Sequence, residues 1–208
     1  MNADTQSLRD DLAFLRALVQ TGEDNYRPLA EAYLAGGLVY GGEMLLHAGQ
    51  VAGIIPSTPL AGLLAGVGPT FVFLVALTFI VRRNRRVSPS GDSTVGKAIG
   101  TAFGSIGLSN LALMATIGAV ALREHSLTVW LIYPCTVFVL QGTAWLFAFT
   151  MRRHTWHGFV ALGWFATAIG MGICITQPGW FILLAGLGLF CCMALPGYAM
   201  LRQHSKTA

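Results

Sequence analysis

A carboxylate and an imidazole lie four residues apart within an otherwise apolar stretch, at Glu43 and His47. On a helix these two side chains share a face, because residues i and i+4 are neighbours. Gly36, Tyr40 and Gln50 lie on the same face, since the five positions fall within an arc of about 80° at 100° per residue. Such a pair could relay protons, bind a small cation or offer two ligands to a metal ion.

A structural role for the pair is the alternative, and the sequence leaves the two roles equally open. Glu43 and His47 could satisfy each other and bond to Ser105, Ser109 or Asn110 in a later apolar stretch, since polar side chains commonly join helices in membranes. We expect no metal, because the pair supplies only two ligands and no suitably spaced Asp, Cys or His completes the set. The predicted polar intramembrane site comprises Tyr40, Glu43, His47, Gln50, Ser109 and Asn110.

The composition places these residues in a bilayer. The 208-residue chain is 54% hydrophobic and 11% charged, whereas a water-soluble domain carries about 25% charged residues. This shortfall excludes an ordinary cytosolic fold. The net charge of +4 does not indicate nucleic acid as a partner, because the basic residues form short clusters beside apolar runs rather than a stripe interleaved with aromatic residues. We expect no cofactor, and the lipid bilayer is the expected surrounding.

Six stretches are long and apolar enough to cross the bilayer, which takes about 20 residues for about 30 Å of hydrocarbon. We therefore predict an all-α polytopic membrane protein whose six transmembrane helices occupy residues 29–201. Residues 1–28 precede this domain, and residues 202–208 form a tail. The predicted spans run from Leu29 to Ile54, Pro59 to Val81, Ala98 to Leu122, Leu127 to Met151, Gly158 to Ile175 and Trp180 to Leu201.

Lysine and arginine residues are distributed unevenly between the predicted connections. Alternate sides of the six spans carry 12 and 1 of them. Because cytoplasmic connections of membrane proteins are enriched in Lys and Arg, both termini are predicted to lie in the cytoplasm. The richest predicted connection runs from Arg82 to Lys97, and a shorter one runs from Arg152 to His157.

Tryptophan and glycine residues bear on how the spans pack. Tryptophan is enriched at membrane interfaces, and the five tryptophans include positions near span ends: Trp130, Trp145, Trp156, Trp164 and Trp180. Glycines four residues apart let two helix backbones approach closely. Four pairs have this spacing: Gly37/Gly41, Gly49/Gly53, Gly62/Gly66 and Gly100/Gly104.

An amphipathic helix is predicted before the first span. Leu8, Leu12, Leu15 and Val19 recur at helical spacing among charged residues. Residues 1–28 hold three basic and five acidic groups, whereas a helix lying on anionic lipid is usually rich in Lys and Arg. We therefore expect this helix to lie in the cytoplasm and to dock on protein, whether its own bundle, a neighbouring protomer or a partner. A solvated stalk is the alternative.

Three stretches are similar to known sequences: SLRDDLAFLRALV near the start, GTAWLFAFTMRRHTWHGFVALGWFATA from Gly142 to Ala168, and MALPGYAMLR from Met193 to Arg202. Together they resemble a group of uncharacterised proteobacterial membrane proteins of about this length, which have six spans and no established activity. The resemblance implies a location in the bacterial inner membrane. It assigns no functional residue.

The leading functional hypothesis is a small transport or permeation unit for an ion or small polar solute, with Glu43 and His47 as its polar centre. The alternative is a noncatalytic membrane subunit or regulatory partner that docks through the helix containing Leu8, Leu12, Leu15 and Val19. An enzyme is not expected, because neither a supported nucleophile nor a phosphate-binding loop occurs. We expect a homo-oligomer or a membrane complex, since a pore is more easily built where several protomers meet.

Overall fold

The computed structural model describes residues 27–56, 58–87 and 94–207. Within these ranges the chain is all-helical and contains no strand. A π-helical segment, Phe190–Ala194, joins the last two α-helices into one continuous helical run. The predicted amphipathic helix lies outside the described residues. The α-helices are α1 Arg27–Val51, α2 Pro59–Val87, α3 Thr94–Arg123, α4 Leu127–Arg152, α5 Thr155–Ile173, α6 Pro178–Leu189 and α7 Leu195–Thr207.

Among the described residues, five helical segments are long and apolar enough to cross a membrane, which is compatible with a polytopic membrane protein. The first described helix, α1, has 25 residues and reaches about 37 Å at 1.5 Å per residue. It falls short in apolar character because Glu43, His47 and Gln50 lie within it. The five segments are Leu60–Asn84, Val95–Arg123, Leu127–Arg152, Thr155–Ile173 and Pro178–Arg202.

The turn between α4 and α5 is shorter than the sequence predicts. Arg153 adopts a left-handed conformation with φ of 57° and donates its backbone N–H to the Phe149 carbonyl at 2.7 Å, which ends α4. Helix α5 begins directly afterwards at Thr155. The predicted connection from Arg152 to His157 was therefore too long, and His157 lies buried in the first turn of α5.

Helix α1 occupies a central place in the bundle. It packs against α2 on one side and against the whole last helical run, α6 to α7, on another. Helix α5 packs against that last run and against α4, and α4 packs against α3. The first helix is therefore held both by its neighbour in sequence and by the end of the described chain.

Glycines bring α1 and the last helical run into backbone contact. A Cβ at Gly37 would lie 2.7 Å from the Cα of Ala194, and one at Gly197 would lie 2.5 Å from the backbone nitrogen of Leu34. Gly41 faces the ring of Phe190 in the same interface. Nothing lies within 4 Å of a Cβ built at the glycines of two other predicted pairs: Gly62, Gly66, Gly100 and Gly104.

The core is aromatic and lies between helices. Trp145 and Trp164 are each 1% exposed and belong to this core. Trp180, in contrast, is 60% exposed at the start of α6. The ring of Tyr33 packs edge-on against Trp145, with ring centroids 5.4 Å apart. Large rings fit inside the bundle here because alanine and glycine residues in α4 and α5 leave room beside them.

Candidate functional site

Glu43, His47 and Gln50 form a connected polar row along α1. His47 Nδ1 lies 3.0 Å from Gln50 Oε1, and His47 Nε2 lies 3.6 Å from Glu43 Oε1. The side chains of Glu43 and His47 are 13% and 29% exposed. The side chains of Glu43 and His47 are therefore mostly buried, and both keep some accessible surface.

The hydrogen bond with Gln50 indicates which ring nitrogen of His47 carries a hydrogen atom. A side-chain carbonyl oxygen only accepts, so the nitrogen that contacts Gln50 Oε1 is the one that carries hydrogen. Nε2 is then the ring nitrogen that faces the carboxyl group of Glu43. Nε2 and Glu43 Oε1 lie 3.6 Å apart, within ion-pair range, so a proton bound at Nε2 would face the carboxyl group.

The three polar side chains extend from the C-terminal end of α1 towards its middle. Gln50 lies one residue before the last residue of α1, Val51, and Glu43 lies eight residues before it, which is about 12 Å at 1.5 Å per residue. Gly53, with φ of 73°, then turns the chain towards α2. The polar groups thus connect the turn after α1 with a carboxyl group about two helical turns inside.

A groove between α1 and α2 is lined in part by Glu43. Its volume is about 640 Å³, which lies within the usual range of small-molecule sites. Glu43 and Gln50 line it from α1, while Ala65, Gly68 and Pro69 line it from α2. Its mouth is bordered by aliphatic side chains that are exposed on the outer surface of the bundle: Leu46, Leu64 and Val72.

Pro69 adds an acceptor to the α2 wall of the groove. Proline has no backbone N–H, so inside a helix it leaves the carbonyl four residues earlier without its usual donor. For Pro69 that carbonyl belongs to Ala65, and both residues line the groove. The wall that faces α1 therefore carries a backbone carbonyl with spare hydrogen-bonding capacity.

Two tyrosines adjoin the row on its inner side. Tyr40 is half-buried one turn before Glu43, with its ring 5.3 Å from that of Phe73 on α2. Tyr133 of α4 interacts electrostatically with both Tyr40 and Glu43. Tyr133 was not among the predicted site residues. The sequence offers Tyr133 only as one of several polar residues in this apolar stretch that could face the first helix, because the proximity of α4 to α1 is set by the tertiary fold.

The structure does not join Ser109 and Asn110 to this row. Both lie on α3, which packs chiefly against α4. Ser109 is exposed, and Asn110 is half-buried with its Oδ1 lacking a hydrogen-bond partner. Among the hydrogen bonds of the described residues, none links either side chain to Glu43 or His47.

A second acidic residue, Glu31, forms an ion-pair cluster at the opposite end of α1. Its carboxylate bonds Arg27 Nε at 2.9 Å and the guanidinium of Arg83 on α2. Asn84 Nδ2 also lies 3.4 Å from Glu31 Oε2. This cluster ties the start of α1 to the end of α2. The arginines near the end of α2, Arg82 and Arg83, were the available signal in the sequence.

A buried cluster separates the two ends of α1. The hydroxyl of Tyr33 donates to Gln141 Oε1 of α4 at 2.5 Å. The rings of Phe103 and Trp145 pack edge-on against Tyr33, which is 4% exposed. The polar row is thus accessible from the turn after α1, and aromatic side chains fill the interior on the other side.

Metal-binding chemistry finds no wider support among the described residues. They contain no group of three or more His, Cys, Asp or Glu side chains that could hold an ion. The four cysteines are free thiols. Comparisons with known proteins find no matching family model, curated protein or solved structure. The chemistry of this site is therefore interpreted from its own residues.

Proposed function

We propose that the chain is a six-span protein of the bacterial inner membrane, with α1 as the first span and both termini in the cytoplasm. Support comes from the packing of α1, which lies between α2 and the last helical run, two segments that are apolar enough to cross a membrane. The split of 12 to 1 in Lys and Arg between alternate sides supports the orientation.

The proposed activity is transport of an ion or small polar solute, with Glu43 as the central group. One observation carries this proposal: a groove and a polar row both adjoin the mostly buried carboxyl group of Glu43 in α1, the proposed first span. Ionisable side chains within the bilayer are costly, so they usually serve a function. His47, whose side chain is 29% exposed, is the group through which a proton reaches Glu43 from the turn after α1.

A carrier fits this arrangement better than an open pore does. Glu43 is reached from one side, while Tyr33, Phe103 and Trp145 pack tightly on the other. An open pore needs a continuous polar path through the bilayer, whereas a carrier exposes its site to one side at a time. The proposed cycle therefore requires α1 to move relative to the aromatic cluster.

Proton flux into proteoliposomes tests this proposal. The purified protein is reconstituted with a pH-sensitive dye inside the vesicles, and a proton gradient is applied with and without candidate cations outside. Wild type should carry flux above that of empty vesicles, and Glu43→Gln should reduce it at least tenfold because the ionisable proton is lost. Glu124→Gln is the matched control, since Glu124 pairs with Arg123 in an exposed turn. Equal flux in the Glu43→Gln variant would overturn the transport role.

The second candidate is a noncatalytic membrane subunit, and the exposed face of α3 favours it. A Cβ placed at Gly100, Gly104 or Gly107 would have nothing within 4 Å, and Ser105 beside them is exposed. Small residues let a neighbouring helix approach closely in a membrane. Gly104→Leu should then dissociate an oligomer or complex on size-exclusion chromatography without lowering the unfolding midpoint. An unchanged elution volume would reject this use of α3.

A further inference from the structure

The residues that line the groove between α1 and α2 indicate which class of ligand could bind there. Glu43 and Gln50 are its polar side chains, and the other ten residues that line it are glycine, proline or aliphatic. Among these described residues no Lys or Arg occurs, so an anion would find no opposite charge. The lining suits a molecule whose body is apolar and whose charge is positive.

The polar groups of the groove are suited to a ligand that donates hydrogen bonds. One oxygen of Glu43, Oε1, faces His47, which leaves Oε2 for a ligand. The Ala65 carbonyl on the other wall lacks the N–H that Pro69 cannot provide. An ammonium group can donate a hydrogen bond to this carboxyl oxygen of Glu43, which an anion or a quaternary ammonium ion cannot do. A bare inorganic cation such as Ca²⁺ or Mg²⁺ is less suited, because it requires about six oxygen ligands.

The position of the mouth indicates how such a ligand arrives. Leu46, Leu64 and Val72 border the groove and are exposed on the outer face of the bundle. In a membrane that face contacts lipid, so a molecule already dissolved in the bilayer can enter sideways. An amphipathic amine, which places its charge near the headgroups and its chain among the lipids, meets this requirement.

We propose that the groove binds a monovalent organic ammonium ion with an apolar chain, in exchange for the proton held between Glu43 and His47. The inference rests on the proposed transport role and names its substrate class. On binding, the ammonium ion takes the place of that proton against the carboxylate, and the proton leaves through His47 towards the turn after α1. One positive charge enters and one leaves, so the charge of the site is conserved.

The groups around Glu43 are compatible with this exchange. On its own helix they are Tyr40 and His47. Helix α4 contributes Tyr133, and the described lining on α2 carries no charged side chain. The neutral phenols of Tyr40 and Tyr133 do not supply a cation that would compete with the ligand. Competition therefore comes from protons, and lower pH should weaken binding.

Isothermal titration of the purified full-length protein in phosphatidylcholine nanodiscs tests the proposal, with empty nanodiscs as the reference. The probes share one chain and differ in charge and donors: n-octylammonium, n-octyltrimethylammonium and octanoate. We expect n-octylammonium to bind once per chain and at least tenfold more tightly than either of the others. Its affinity should fall about tenfold for each pH unit below the point at which the Glu43–His47 pair holds its proton, because proton and ligand compete for one site. Titration in two buffers of different ionisation enthalpy should show release of about one proton.

Three variants separate the groove from partition into lipid. Glu43→Gln should lose the preference for the ammonium probe. Gly68→Phe should fill the groove while leaving Glu43 in place, because Gly68 lies in the lining and a Cβ built there meets no atom within 4 Å. Glu124→Gln should bind like wild type. Heats equal to those of empty nanodiscs, or wild-type affinity in both the Glu43→Gln and the Gly68→Phe variants, would overturn the inference.

The inference and the proposed function fail in different ways. Saturable, Glu43-dependent binding without any flux in proteoliposomes would remove the transport role and keep the ammonium site. Proton flux that depends on Glu43, together with no ammonium binding beyond lipid partition, would keep the transport role and overturn the ammonium site.

Discussion

The hydroxyl of Tyr33 donates a hydrogen bond to the side-chain carbonyl of Gln141 at 2.5 Å, and this bond joins α1 to α4. The two residues are 108 positions apart in the chain. Trp145, one turn beyond Gln141, packs against the same tyrosine ring. The bond and the ring contact together hold α1 against α4.

Removing only the hydroxyl tests how much this bond stabilises the bundle. Tyr33→Phe keeps the ring contacts and leaves the Gln141 carbonyl without its donor, so we expect a loss of about 1 kcal/mol in the free energy of unfolding, in line with other hydrogen bonds between membrane helices. Reversible unfolding in detergent micelles measures it. Tyr198→Phe is the control, because Tyr198 is 45% exposed. A double variant with Gln141→Leu should lose less than the two single losses added together; strict additivity would mean that the pair is not coupled.

Backbone contact between α1 and the last helical run predicts a sharp difference between glycines. Gly37→Ala forces a methyl group to 2.7 Å from the Cα of Ala194, and overpacking of this kind costs about 1 to 3 kcal/mol. Gly62→Ala meets nothing within 4 Å and should gain up to about 1 kcal/mol from better helix propensity. Thermal unfolding of both variants measures the difference. Equal midpoints would contradict the close approach of the two helices.

The Glu31 cluster should contribute modestly to stability and respond to salt. Glu31→Gln removes the ion pairs with Arg27 and Arg83 and keeps an acceptor for Asn84. Because the two arginine side chains are 50% and 43% exposed, we expect a loss of no more than about 1 kcal/mol. The loss should shrink in about 1 M salt, where exposed charges are screened. Glu124→Gln provides the comparison for a fully surface pair, and a loss unaffected by salt would count against an electrostatic role.

Much of the helical architecture could be predicted from the sequence, because long apolar runs determine where helices form. The span predicted from Leu127 to Met151 matches α4, Leu127–Arg152, and the all-helical class is confirmed for the described residues. Composition alone does not determine the number of spans, since Glu43 and His47 lower the apolar character of α1. Only its packing between other helices indicates that it belongs with them.

The neighbours of the site could not be predicted, because sequence spacing orders residues along a helix and not helices around each other. The row of Glu43, His47 and Gln50 follows from helical periodicity. The contribution of Tyr133, and the separation of Ser109 from Glu43, depend on which helices are adjacent. Trp145 illustrates the same point, since its type favours an interface while its position puts it in the core.

The proposed orientation predicts the results of reporter fusions. Fusions after Lys97 and after Arg202 should report the cytoplasm, and a fusion after Pro56 should report the periplasm, because of the split of 12 to 1 in basic residues. Alkaline phosphatase and green fluorescent protein, which are active on opposite sides, give the two readings. A cytoplasmic signal at Pro56 would mean that α1 does not cross the membrane.

Stability measurements on Glu43 variants decide whether lost flux reflects lost chemistry or lost fold. Glu43→Gln keeps the volume and an acceptor 3.6 Å from His47, so its unfolding free energy should stay within about 0.5 kcal/mol of wild type. Glu43→Leu removes the acceptor, but His47 keeps its bond to Gln50 and is 29% exposed. The loss should therefore stay near about 1 kcal/mol, at the low end for an unpaired polar group. Chemical unfolding in micelles, run beside the flux assay on the same preparations, gives both quantities. If Gln destabilises the protein as much as Leu does, the carboxyl group is structural; if Gln leaves stability intact and abolishes flux, what was lost is the proton.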